Sequence, residues 1–133
     1  MGASPARRIA FDILRQVVTE RAYASDLLHA KMAHGISRAD AALATELTMG
    51  VLRWQRLLDF LLQRHVDRPT ERMDTEVLLA LRMGLYQMRF LDRVPARAAV
   101  SESVELVKSA RKRSAAPLVN AVLRKLAPRG ERR

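Results

Sequence analysis

The segment that most constrains the fold is the run of residues 75–91, which is apolar on nearly every face and is interrupted mainly by Arg82 and Arg89. A helix that is apolar all round is usually buried on all sides. The rest of the chain must therefore supply helices that surround it. Gly84 lies inside this run, where glycine costs about 1 kcal/mol of helix propensity relative to alanine. We expect a neighbouring helix to pass close to that glycine.

The N-terminal third has the spacing of two shorter helices. Ser4 followed by Pro5 is typical of a helix start, since proline fits the first helical position. Apolar residues follow at helical spacing over 6–17 and form one stripe. A second helix is predicted over 23–33, ending before Gly35.

A third helix is predicted to begin at a capping box formed by Ser37 and Asp40. Its apolar positions advance in alternating steps of four and three, which is typical of a seam packed along another helix. These positions are 47, 51, 54, 58 and 61. The pattern predicts one helix over 38–65, or two helices with a bend between residues 51 and 56. Trp54 falls on the seam and is expected in the core.

The last two helices are predicted over 96–109 and 116–126, and no alternating strand pattern occurs. With 133 residues the chain fits one domain over 1–133, with an ordered core at about 5–127 and a basic tail at 128–133. Hydrophobic residues make up 49% and aromatic residues only 5%, so Leu, Val, Ala and Met must fill the core. The sequence therefore predicts an all-α bundle of six or seven helices.

Several classes of site are excluded by residues and patterns that the sequence lacks. It has no cysteine, hence no disulfide, thiolate metal site or cysteine nucleophile, which fits a reducing cytoplasm. No run of 18 apolar residues and no signal peptide occurs, so we expect no membrane association and a cytoplasmic location. The three histidines lack metal-ligand spacing, and no metal is expected. Glu102 and Glu105 share a helix face without any catalytic partner, so we assign no catalytic residue.

The charge of the chain is concentrated at its C-terminal end. Residues 108–133 hold nine Lys and Arg against one acid, so +8 of the net +10 lies there. Charge placed this unevenly favours a polyanionic partner. The densest group, called the basic turn below, lies between the last two helices and can offer several cations to phosphates, each with salt-dependent affinity. It consists of Lys108, Arg111, Lys112 and Arg113, and Arg124 and Lys125 extend it along the last helix.

Several short blocks resemble a known family when their order and spacing are taken together. Val94-Pro95, Glu102, Glu105 to Lys108 and Val119-Asn120-Ala121-Val122-Leu123-Arg124 resemble the closing helices of the NusB family of small helical RNA-binding domains. Gly50-Val51-Leu52-Arg53 and Met83-Gly84-Leu85-Tyr86-Gln87 are more similar to the N-terminal domain of RsmB-type rRNA cytosine-C5 methyltransferases. The resemblance covers roughly residues 6–126.

The resemblance implies an RNA-binding domain that positions small-subunit rRNA for a C-terminal methyltransferase domain absent from this chain. The parent enzyme would use S-adenosylmethionine, whereas this chain lacks the catalytic cysteines and the cofactor-binding unit and should bind no cofactor and catalyse nothing alone. The alternative is a NusB antitermination factor that binds leader RNA together with a small-subunit ribosomal protein. A second alternative is a helical protein-interaction adaptor.

The resemblance also adds candidate site residues at the N-terminus. NusB proteins carry an arginine-rich first turn that contributes to RNA binding, and Arg7 and Arg8 match that position. Phe11 is a candidate for stacking on a base. Asn120 is expected to serve a neighbouring loop or the RNA, and the role of Arg53 stays open. We expect the compact bundle to join the first-turn arginines and the basic turn in one RNA-gripping surface.

Overall fold

The computed structural model describes residues 2–128 and contains six α-helices joined by short connections. No strand occurs in this part of the chain, so the predicted all-α bundle is confirmed. None of the helices within 2–128 has the length and apolar character needed to cross a membrane. The predicted basic tail lies outside the described residues except for Pro128. The helices are α1 (Pro5–Glu20), α2 (Ala24–Met32), α3 (Arg38–Gln63), α4 (Thr75–Phe90), α5 (Ala96–Ser109) and α6 (Ala116–Leu126).

Helix α4 is the central helix that its sequence predicts. Every residue from Val77 to Gln87 is buried, and α1, α3, α5 and α6 all pack against it. Gly84 is the point of closest approach: a Cβ atom there would lie 2.5 Å from Leu123 Cδ1 and 2.7 Å from Ser103 Oγ. The expected close neighbour is thus confirmed, and α5 and α6 both supply it.

One charged side chain is buried on α4 and is fully matched. Arg82 donates from Nε to Asp59 Oδ1 and from Nη2 to Asp59 Oδ2, both at 2.8 Å. A bidentate pair of this kind satisfies the guanidinium and fixes the register of α4 against α3. Asp59 is thereby engaged inside the bundle rather than offered to solvent.

Helix α3 starts and bends where the sequence indicates. The Ser37 hydroxyl accepts the Asp40 backbone N–H at 3.1 Å. A single residue inside the helix, Trp54, has non-helical angles (φ −104°, ψ 16°), within the predicted bend. The expectation that Trp54 is core is wrong, since 39% of it is exposed and its ring stacks on Phe90 with centroids 5.1 Å apart. The bend turns this seam position outward.

Candidate nucleic-acid interface

The basic turn is held outward by a defined helix ending. The Arg111 N–H donates to the Lys108 carbonyl at 3.1 Å, and the Lys112 N–H donates to the Val107 carbonyl at 2.8 Å. This pair of bonds is the Schellman motif, which requires a left-handed residue and usually uses glycine there. Arg111 takes that position with φ 64°. An arginine in this conformation costs of order 1 kcal/mol, so the turn keeps a cation where glycine would be easier.

The four cations of the basic turn differ in their partners. Lys108 Nζ lies 3.5 Å from Glu105 Oε2, and Lys112 Nζ lies 3.4 Å from Asp74 Oδ2. Arg111 and Arg113 are exposed and form no ion pair within residues 2–128. Exposed pairs are worth about 0–1 kcal/mol, so all four cations remain available to a polyanion.

A cleft opens at the other end of the α5–α6 hairpin. Because the two helices pack antiparallel, Arg97 at the start of α5 faces the end of α6, where Arg124 lies. Both line a cleft of about 530 Å³, together with Asn120 and Ser101. Asn120 is partly exposed where it lines this cleft. Sequence reasoning missed Arg97, although its place two residues after the proline that precedes α5 was a usable signal.

Arg7 is drawn into the bundle rather than presented to solvent. Its Nε donates to Gln87 Oε1 at 2.7 Å, its Nη1 donates to Ser4 Oγ at 3.0 Å, and Glu102 Oε2 lies 3.8 Å away. Only 11% of the side chain is exposed. The structure therefore does not support the predicted RNA contact by Arg7. Its guanidinium fastens α1 to α4 and α5.

Glu102 explains why two arginines can open α1. Cations are unfavourable at a helix N-terminus, yet Glu102 places a carboxylate there from α5. Its Oε1 accepts the Ser4 backbone N–H at 2.7 Å. Glu102 thus has a structural role. Arg8, which was predicted together with Arg7 to contact RNA, is exposed and stays a candidate for that contact.

The prediction that Phe11 stacks on a base is wrong. Phe11 is buried, with 4% of its surface exposed, and belongs to the main core. The Arg15 guanidinium lies over its ring, with Cζ 5.5 Å from the centroid. A nucleobase has no access to a ring enclosed in this way. The ring closes the edge of the core instead.

The two predicted halves of the RNA surface lie apart. Lys112 of the basic turn pairs with Asp74, which precedes α4, whereas Arg7 bonds Gln87 near the end of α4. Thirteen residues at about 1.5 Å each separate those contacts by about 20 Å along the helix axis. The expectation of one continuous surface is therefore wrong. The cations of α5 and α6 form the main basic region, and the first turn of α1 lies away from the basic turn.

A second concave region lies between α3 and the end of α4. Tyr86 crosses to α3 over Gly50, where a Cβ would overlap the tyrosine ring. The Tyr86 hydroxyl donates to Glu46 Oε2 at 2.5 Å. Burial, with help from the Glu46 carboxylate, raises the pKa of Tyr86 to about 12, so the hydroxyl keeps the proton that it donates well into the alkaline range. The resulting cavity, ≈ 970 Å³, is also lined by Trp54 and Arg53.

The acidic side chains of α5 act as partners of nearby cations. Among residues 2–128, no group of three or more His, Asp or Glu side chains is placed to hold a metal ion. Glu102 and Glu105, the two acids that share a face of α5, are both engaged with neighbouring cations. The arrangement of exposed arginines and lysines instead suits binding of phosphate groups.

Comparison with known proteins places these features in a family. Residues 4–128 match the model of the NusB family. The chain is 38% identical over 121 residues to a probable ribosomal RNA small subunit methyltransferase B of Synechocystis, and 44% identical over 129 residues to a putative methyltransferase of Mycobacterium tuberculosis. These alignments cover 90% and 96% of this chain but 27% and 28% of the relatives, so the chain spans little more than a quarter of their length.

Solved structures share the fold at low sequence identity. NusB of T. maritima superposes with a TM-score of 0.84 at 20% identity, with 97% of each chain covered. A crystal structure of antitermination factors NusB and NusE in complex with dsRNA gives a TM-score of 0.81 at 22% identity, covering 91% of this chain and 92% of that one. Both likenesses confirm the predicted NusB-like bundle.

Proposed function

The chain belongs to the NusB family, and we propose that it acts as an RNA-binding domain that positions small-subunit rRNA for a methyltransferase. In this proposal, S-adenosylmethionine and the groups that transfer a methyl to cytosine C5 are supplied by a catalytic domain outside these residues. This chain by itself holds RNA and performs no chemistry.

The observation that carries the proposal is the basic surface of the α5–α6 hairpin. Its two ends present cations that the described residues neutralise weakly or leave unpaired: Arg111 and Arg113 at the turn, and Arg97 and Arg124 at the cleft. Arg111, just past the end of α5, follows Arg97 by fourteen positions, which is about 21 Å at the helical rise. Such spacing suits a polyanion that runs along the hairpin rather than a single small anion.

Identity to the relatives favours the methyltransferase role over other NusB-like roles. The identity is 38–44% to the methyltransferases above and 20–22% to the NusB structures. The Gly50 and Tyr86 motifs, which resemble the methyltransferase group, form a well-packed contact between α3 and α4. Both features support a domain of the methyltransferase kind.

The test is binding of the chain to small-subunit rRNA fragments across a salt series. Contacts to phosphates predict an affinity that falls steeply with salt because counterions are released. Reversing two charges in Arg111→Glu with Arg113→Glu should weaken binding about tenfold or more at low salt, with an unchanged circular dichroism spectrum. A matched control, Arg21→Glu with Arg89→Glu, makes the same charge change elsewhere. Affinity that is independent of salt contradicts the proposal.

An antitermination factor is the second candidate, because T. maritima NusB matches this chain over 97% of both lengths. That role predicts preference for a leader RNA over rRNA fragments, and tighter binding when a small-subunit ribosomal protein is added. Direct competition between the two RNAs decides between the candidates. A protein adaptor would instead retain an acidic partner after RNase treatment.

A further inference from the structure

The outward face of α3 carries cations and aromatic rings that the hairpin site does not use. Residues 49, 53, 56, 60 and 64 follow one another in steps of three and four, so they share one side of the helix. All five are exposed, with Met49 at 46% and Phe60 at 60%. The other three residues of this face are arginines, namely Arg53, Arg56 and Arg64.

Phe60 on this face and Trp54 beside it each have an arginine over the ring. Arg53 Cζ lies 5.8 Å from the centroid of the Trp54 ring, and Arg64 Cζ lies 5.0 Å from that of Phe60. Exposed cation–π contacts are worth about 0.5–1 kcal/mol. Such a guanidinium can move to a phosphate while another flat group takes its place on the ring.

The acids in this stretch are already engaged elsewhere. Between residues 46 and 64 only Glu46 and Asp59 are acidic. Glu46 accepts the Tyr86 hydroxyl, and Asp59 holds Arg82 inside the bundle. The three arginines therefore face solvent without an ion-pair partner among residues 2–128. This face attracts anions.

The platform under Trp54 is rigid. Its ring stacks on Phe90, which in turn stacks on Tyr86 with centroids 5.0 Å apart. Tyr86 is fixed by its hydrogen bond to Glu46 and by close packing on Gly50. Three successive rings thus support an exposed aromatic edge beside the ≈ 970 Å³ cavity between α3 and α4. A preformed ring needs little ordering when it binds a ligand.

We infer that the outward face of α3 is a second contact for single-stranded RNA, in which unstacked bases lie on Trp54 and Phe60 while Arg53, Arg56 and Arg64 contact phosphates. Aromatic platforms beside cations are the usual means of holding a single strand without sequence preference. The inference rests on the proposed RNA-binding function. It adds a surface on α3, distinct from the α5–α6 hairpin, so that RNA has two points of attachment.

Trp54 reports on this contact directly, because it is the only tryptophan in the chain. Titration of the whole chain with a single-stranded oligoadenylate should quench its emission as a base stacks on the ring. Inorganic polyphosphate is the matched probe without bases: it should bind and compete for the cations but leave the emission nearly unchanged. Equal quenching by both polyanions overturns the base-stacking assignment.

Variants test the same contact by the anisotropy of a labelled oligoadenylate. Trp54→Leu and Phe60→Leu should each weaken binding about fivefold or more, the effect of losing one stacked base, whereas Trp54→Phe should retain most of the affinity. Arg21→Glu is the control for general charge. Circular dichroism checks that the Trp54 variants stay folded, and the wild-type emission test needs no variant at all.

The outcomes separate this inference from the function on which it rests. Tight oligoadenylate binding that depends on Arg111 and Arg113, with no change in Trp54 emission and no effect of Phe60→Leu, overturns the inference alone. That result would assign the face to a protein partner, since Trp, Met and Arg are also enriched in protein interfaces. No binding of any RNA overturns both.

Discussion

The first turn of α1 and the turn between α5 and α6 both place arginines at the end of a helix, yet they use them in opposite ways. In α1, Glu102 and Gln87 draw the Arg7 guanidinium inside the bundle. In the basic turn, a Schellman ending with Arg111 in the left-handed conformation points the side chains outward. A cluster of cations therefore stays open to an anionic ligand only where the surrounding helices do not draw it into buried hydrogen bonds.

The largest expected difference between the two regions is in stability, on removal of Arg7. Arg7→Ala leaves Gln87 without its charged donor and Glu102 without its cation, so the free energy of unfolding should fall by about 2–3 kcal/mol. RNA affinity of the folded protein should stay unchanged. Urea denaturation gives the first quantity and anisotropy with an rRNA fragment gives the second. A stable Arg7→Ala variant with weakened RNA binding would reverse the assignment of the two regions.

Reversal of charge in the basic turn should show the opposite pattern. Arg111→Glu with Arg113→Glu should change the free energy of unfolding by less than about 0.5 kcal/mol, as for other exposed positions. The slope of log affinity against log salt should become shallower by about one per lost phosphate contact. The control pair Arg21→Glu with Arg89→Glu should leave the slope near its original value. An unchanged slope in the Arg111 and Arg113 variant would place the RNA on other cations.

The contrast also shows what could be predicted from the sequence. Helix bounds followed from local signals: α5 and α6 have the predicted limits, and the bend in α3 falls at Trp54 within the predicted window. Local signals say nothing about partners distant in sequence. Gln87 is 80 residues and Glu102 is 95 residues from Arg7, and only their packing shows that Arg7 is internal.

The same limit explains the other errors. Phe11 has the spacing of a stripe-edge residue, and whether such a ring is open or covered depends on the helices beside it. Trp54 has core spacing, but the bend that the sequence indicates turns it outward. Arg97 joins Arg124 only because α5 and α6 pack antiparallel. Features set within one helix can therefore be predicted from the sequence, whereas contacts between different helices cannot.

A smaller effect tests whether the basic turn trades stability for charge. Arg111→Gly removes a side chain from a left-handed position (φ 64°) that glycine adopts freely. The free energy of unfolding should rise by about 1 kcal/mol, while RNA affinity falls because one cation is lost. Thermal denaturation and the same anisotropy titration measure the two changes. A loss of stability would mean that the Arg111 side chain packs in a way that the turn requires.

The smallest expected effect concerns the acid that faces the basic turn. Asp74 Oδ2 lies 3.4 Å from Lys112 Nζ, with the Asp74 side chain largely exposed and that of Lys112 partly exposed, so Asp74→Ala should lower the free energy of unfolding by less than about 0.5 kcal/mol. The same change frees Lys112 and removes a negative charge from the proposed RNA-facing region, so RNA affinity should rise about twofold at low salt, and the gain should vanish at high salt.

Glu71→Ala is a matched control, since it removes an exposed acid from the same connection without an ion pair to the turn. An equal gain in both variants would show that net charge, rather than the release of Lys112, sets the affinity. A gain in Asp74→Ala alone would make Lys112 part of the contact, and the basic turn would then differ from the first turn of α1 in a second way: its ion pair yields to RNA, whereas that of Arg7 does not.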